Sequence, residues 1–148
     1  MDFIEKYKAA FAVSVSNGFS ETRIKGMSSV EIEEVEREQG VRIPDSYRKF
    51  LEFCGNSQGG VLESENIYSR DLHGIKGAAM EALRDGGDDV SLDGYIVFMM
   101  HQGYIFFCMR EGSADPSVYG YSSVEGGGLR SEEASFSEFI EYALSEGL

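Results

Sequence analysis

Between Ile32 and Gly60 the chain reads IEEVEREQGVRIPDSYRKFLEFCGNSQGG, and no other stretch restricts its fold as tightly. Ser28 and Glu31 fit the S-x-x-E capping box that opens a helix, because each side chain can accept from an otherwise unpaired backbone N–H of the first turn. Val30, Ile32 and Val35 supply apolar contacts, and Gly40 is a natural stop because it tolerates the left-handed conformation that ends helices. Pro44 then opens a second helix, at a position where its missing N–H costs nothing. Tyr47, Phe50, Leu51 and Cys54 recur at i, i+3, i+4 and i+7, which predicts one buried stripe. Gly55 closes that helix, and Asn56 to Gly60 is a loop. The stretch is thus a helix, a Gly-to-Pro linker, a helix and a Gly-rich exit.

The same logic places the other elements. Phe3, Ile4, Tyr7, Ala10 and Phe11 share a helical face, predicting a helix over Asp2 to Val13. Ser14 to Gly26 is a polar connection with a turn at Asn17-Gly18. Val61 to Glu63 and Asn66 to Asp71 have the look of short strands, and Gly74 to Asp85 of a helix. Gly86 to Asp93 is a loop of acids and glycines. Tyr95 to Met100 and Tyr104 to Met109 are apolar runs around Gln102-Gly103, which predicts a β-hairpin. Lost alternation makes these central strands covered by helices on at least one face. Ser117 to Val124 is a further strand, and Glu125 to Arg130 a turn. Ser135 and Glu138 form a second capping box, followed by Phe136, Phe139, Ile140, Ala143 and Leu144 on one face. Helices, then strands, then a last helix imply an α+β fold with a mainly antiparallel sheet, not a βαβ alternation.

At 148 residues one domain spanning 1–148 is expected. The formal charge is −13, from 26 acids against 13 bases. That argues against direct binding of nucleic acid, which asks for a basic face. It suits either solubility or an acidic face that meets a basic partner and speeds encounter in a salt-dependent way. Two cysteines, Cys54 and Cys108, make no disulfide framework; Cys108, in YIFFCMR, reads as a buried thiol. The N-terminus lacks a secretory signal, and the apolar window Tyr95 to Met109 is too short to span a membrane, so a cytoplasmic protein with no membrane association is expected.

Catalytic and metal motifs are sparse. His73 and His101 have no cysteine or histidine at zinc-ligand spacing. DGGDDVSLD, with Asp85, Asp88, Asp89 and Asp93, does not match the alternating acids and closing Glu of an EF-hand loop. GNSQGG and EGGGLR lack the Lys-Ser/Thr of a P-loop. No pair of carboxylates stands out as a general acid and base. The expectation is therefore no catalytic residue, no metal and no cofactor.

The segment from Ile32 to Leu51 resembles the signature of the SUKH superfamily, the Smi/Knr-like proteins. In that family a helix with an acidic residue precedes a Gly, an apolar-Pro pair, a Tyr and a Phe-Leu pair, and then an Asn/Gly-rich turn. Ile32, Glu36, Gly40, Ile43, Pro44, Tyr47, Phe50 and Leu51 fill those positions, with Asn56, Gly59 and Gly60 as the turn. Asp115 to Tyr119 resembles the late strand and Ser135 to Phe139 the start of the last helix. The chain departs from the pattern in Ser57 and Gln58, which interrupt the turn, and in having no Trp.

The resemblance implies an α+β fold and signature residues that are structural. It also implies a protein-binding role. Bacterial members are commonly immunity proteins that inhibit toxins, many of them nucleases. The expected partner is then a basic toxin domain, and the chain a monomer or weak dimer. A regulatory or scaffolding protein is the alternative, and an enzyme of unrecognised type a remote one. Candidate partner contacts are the acids Glu63, Glu65, Asp85, Asp88, Asp89, Asp93, Glu132 and Glu133, with Tyr68 and Tyr121 as aromatic anchors.

Overall fold

The computed structural model describes residues 2–16, 23–58 and 72–146. In chain order these form α1 (Phe3–Ser16), β1 (Ile24–Lys25), α2 (Ser29–Gln39), α3 (Asp45–Cys54), β2 (Ser57–Gln58), α4 (Ile75–Asp85), β3 (Tyr95–His101), β4 (Ile105–Arg110), β5 (Val118–Ser122), β6 (Arg130–Glu133) and α5 (Phe136–Glu146). The strands make an antiparallel pair, β1–β2, and a four-stranded antiparallel sheet in the order β3-β4-β5-β6. This is the expected α+β arrangement. The strands anticipated at Val61 to Glu63 and Asn66 to Asp71, the turn at Asn17-Gly18, and Gly59 and Gly60 lie outside the described residues.

The capping box at the start of α2 forms in full: Glu31 N–H donates to Ser28 Oγ (3.2 Å), and Ser28 N–H donates to Glu31 Oε1 (3.0 Å). Gly40, at φ 71°, ends α2 in the left-handed region. Pro44 sits one position earlier than expected, as the extended residue before α3 rather than in its first turn. Tyr47, Phe50, Leu51 and Cys54 are all buried, so the stripe is the core face of α3. Val30 departs from expectation: it is 60% exposed, while Ile32, Val35 and Gln39 are the buried residues of α2.

The β3–β4 hairpin turns at Gln102 (φ 52°) and Gly103 (φ 80°). Two successive positive φ angles match the twist of a tight hairpin. A register shift between Val97 and Met99 bulges β3. Adjacent side chains of β4 point to opposite faces, and both faces are covered. Phe107 meets Phe139 of α5 at 5.2 Å between ring centroids, whereas Phe106 packs against Tyr121 at 5.4 Å on the other face. Helix α4 lies along β3 and β4, and α5 packs against α1, α3 and β6. Phe136, at the start of α5, joins the layers: its ring contacts Phe3, Tyr47, Phe50 and Phe98, all at centroid distances of 5.3–6.1 Å.

Strand β6 carries no apolar residue, so it was not legible from hydrophobic pattern. It is the antiparallel partner of β5, with Gly120 opposite Arg130, and its charge suits an edge. The turn that precedes it needs the three glycines, since Gly126, Gly127 and Gly128 all have positive φ.

Candidate protein-binding surface

The acids nominated from sequence do not form one patch. Asp85, Asp88 and Asp89 lie at the end of the sheet where β5 runs into the β5–β6 turn, because Gly86 abuts Tyr121 and Asp88 Oδ2 approaches Gly126. Asp93 is at the opposite end, beside the start of β3, where Gly94 O accepts from Glu111 N–H (2.9 Å). Asp85, Asp89 and Asp93 are exposed, and Asp88 is half-buried. Glu132 and Glu133 sit on the edge strand β6. Arg130 pairs with Glu125 and lies 3.7 Å from Glu132, which neutralises part of that edge. Glu63, Glu65 and Tyr68 lie outside the described residues.

Tyr121 requires a correction. It is fully buried against Phe106, and its hydroxyl donates to Asp88 Oδ2. Its ring is thus not available as an anchor for a partner. Burial, with the Asp88 carboxylate beside it, pushes its phenol up to about 12. Tyr121 instead ties the acidic loop after α4 to the sheet.

The sequence reading passed over the most acidic element of the fold. Helix α2 carries Glu31, Glu33, Glu34, Glu36 and Glu38 against one base, Arg37. Three of those acids are bound within the molecule. Glu31 accepts from Ser28 N–H and from Asn56 Nδ2 (3.2 Å), and these bonds hold its carboxyl below the ordinary range. Glu36 Oε1 accepts from Arg48 Nη2 (2.7 Å) and Ile43 N–H (3.4 Å), which fixes the linker between α2 and α3. Glu38 Oε1 accepts from Gly74 N–H (2.9 Å) and pairs with His73 Nδ1 (3.1 Å) at the start of α4. Glu33 and Glu34 are exposed and make no ion pair among the described residues. The signal for this surface was present as E-E-x-E-x-E in the sequence, but it was absorbed into the reading of the helix as a folding element.

Helix α2 is docked by its last residue. Gln39 is 4% exposed; its Nε2 donates to Val97 O (2.7 Å) and its Oε1 accepts from Val97 N–H (3.1 Å). The side-chain amide therefore pairs with β3 as a strand residue would. Lys76 of α4 donates to Gln39 O (2.7 Å) and Tyr95 O (2.8 Å), and its burial lowers its pKa. Helices α2 and α4 are so joined to the edge of β3.

Among the depressions beside α2 are two along its acidic faces. One, of about 660 Å³, is lined by Glu33, Glu36, Arg37, Val41, Arg42 and Glu111. The other, of about 220 Å³, lies between Glu31, Glu34 and Glu38 on one side and Leu72 and His73 on the other. The remaining chemistry-bearing groups are scattered. His73 is exposed on α2's flank, and His101 is at the distant hairpin end. Cys54 and Cys108 are buried, and burial raises both thiols, Cys108 to about 12. Among the described residues no three His, Cys, Asp or Glu side chains converge as a metal site, and no helix is long and apolar enough to cross a membrane.

The signature residues take structural places. Ile32, Ile43, Tyr47, Phe50 and Leu51 are in the core, and Pro44 is buried at the helix junction. Asn56 Nδ2 donates to Gly26 O (3.0 Å) as well as to Glu31, tying the exit of α3 to the start of α2. No curated protein matches the chain. The family profile described as SMI1 / KNR4 family (SUKH-1) matches residues 26–142, the stretch in which the α2–α3 unit, the sheet and most of α5 lie, and the chain belongs to that family.

Proposed function

We propose that this chain is a non-catalytic protein-binding domain that acts in the cytoplasm as an immunity protein. Its partner is a basic toxin domain of a bacterial polymorphic toxin system, of which a nuclease is the type best matched by charge. The observation that carries this reading is the excess of carboxylates, −13 overall, together with the exposed acids that α2 presents beside two depressions. A nuclease must hold a phosphate backbone and therefore carries a basic face. An acidic surface of this kind would steer such a face to it and cover it.

The α2 surface, with Glu33 and Glu34 at its centre, is the favoured contact. Asp85, Asp89 and Asp93 are secondary contacts, since they lie at two ends of the sheet. The test is to express the product of the adjacent gene with and without this chain. Relief of toxicity, and a complex whose association slows as salt is raised, are the expected results. Glu33→Lys/Glu34→Lys should slow association by roughly tenfold at low salt. A toxic neighbour that this chain neither binds nor relieves would sink the proposal.

A further inference from the structure

The depression of about 660 Å³ beside α2 has an unusual distribution of charge for so acidic a chain. Three carboxylates and two guanidinium groups line it. The carboxylates of Glu36 and Glu111 are already engaged: Glu36 accepts from Arg48 and from Ile43 N–H, and Glu111 Oε2 accepts from Arg42 N–H (3.2 Å). Arg37 and Arg42 are both exposed, and neither guanidinium makes an ion pair or hydrogen bond among the described residues. Arg37 stands one turn after Glu33 on the same helix, a spacing at which opposite charges can meet, yet the two do not pair. Surplus acid has thus not been used to neutralise these two arginines, although acid surrounds them.

We propose that Arg37 and Arg42 form a receptor for a carboxylate carried by the protein partner. This inference rests on the reading of α2 as the partner-binding surface. Guanidinium groups present a planar fork of donors that matches a carboxylate in two-point geometry. Arginine is also enriched among the residues that dominate interface energies. The surrounding field attracts a partner that is basic overall. A single acid within its basic surface then finds the two guanidinium groups of this groove that are unpaired among the described residues, and that contact fixes the register of docking. A continuation of the groove past Arg42, about 260 Å³ between Ile43–Asp45 and Gly112–Ala114, leaves room for the chain that carries the acid.

The experiment uses two defined probes, the blocked peptides acetyl-Lys-Lys-Glu-Lys-Lys-amide and acetyl-Lys-Lys-Gln-Lys-Lys-amide, titrated at low salt against the full chain and against Arg37→Gln/Arg42→Gln. Net charge alone predicts that the glutamine peptide, being more positive, binds the acidic chain more tightly. The receptor predicts the opposite: the glutamate peptide binds the wild-type chain roughly threefold more tightly, a modest effect because the groove is open to water. In the double variant the order reverses. Tighter binding of the glutamine peptide to the wild-type chain overturns the receptor but leaves the acidic surface standing. Equal preference for the glutamate peptide in wild type and double variant overturns it as well, because the preference then arises elsewhere. Failure of both peptides to bind in a salt-sensitive manner overturns the receptor and the acidic-surface reading together.

Discussion

Gln39 shows how much can depend on one polar side chain. A buried amide at the end of a helix supplies both hydrogen bonds that Val97 would otherwise exchange with a neighbouring strand. Gln39→Ala leaves a buried N–H and a buried C=O without partners, and should cost about 2–4 kcal/mol in urea unfolding. Gln39→Glu keeps the acceptor but sets a buried carboxylate against Val97 O, and should cost at least as much as the alanine change at neutral pH. Tyr121 and Asp88 make a second such pair. The phenol titrates higher in the folded chain than the ordinary 10.0, at about 12. A raised folded value means the contribution to stability is complete below pH 10 and is lost as pH rises towards 12. Asp88→Asn should lower the titration midpoint of Tyr121, followed by phenolate absorbance, and flatten that alkaline loss. Neither residue could be placed from sequence. Gln39 carries no local signal, and Tyr121 could be named only as a candidate anchor, because the group each one bonds is distant in the chain.

Among the elements, those with local signals were legible and those built from distant contacts were not. The start of α2 was readable because Ser28 and Glu31 are three residues apart and their bonds stay within one turn. Ser28→Ala should cost about 1 kcal/mol. Glu31 is held below its ordinary 4.5 chiefly by the Ser28 N–H bond, so its contribution is present above about pH 4.5 and fades as pH falls through the lower folded value. Glu31→Gln keeps an acceptor that does not titrate, and its melting temperature should fall less between pH 5 and pH 3 than that of the wild type. The start of α5 was legible in part: Glu138 N–H donates to Ser135 Oγ (3.1 Å), but a distant residue helps, since Ser137 N–H donates to Asp115 Oδ1 (3.0 Å). Phe136 could be assigned to a core face by its spacing, though not to the centre of five aromatic rings. Phe136→Ala should cost about 3–5 kcal/mol, measured by denaturant unfolding. Strand β6 was missed because its assignment depends on pairing with β5, and RSEE has neither apolar alternation nor β-branched residues.

At the scale of the molecule, the charge was plain in the sequence but its layout was not. A total of −13 does not say that the loop acids divide between two ends of the sheet, nor that α2 binds three of its five carboxylates internally. The family signature was legible because its residues are local and structural. The same property made α2 look like scaffold alone, since the residues that identify it face inward while its outer acids carry no motif. The excess charge also acts on the fold itself. Mutual repulsion among carboxylates is screened as ionic strength rises. Raising sodium chloride from low to physiological concentration should therefore increase the melting temperature of the free chain, while under the proposed function the same change should slow its association with a basic partner. The two salt effects have opposite signs and are read by different measurements.

The ties along α2 have a consequence for how long a complex would last. The helix is held at its start through Ser28 and Asn56, in its second half through Glu36 and Arg48, and at its end through Gln39 and Glu38. A helix fastened at three points loses little backbone freedom when a partner closes over it. Ordering entropy that a loose acidic loop would surrender on binding has already been given up in folding. Carboxylates mounted in this way would favour slow dissociation as well as fast encounter, so a partner captured by the field would also be retained.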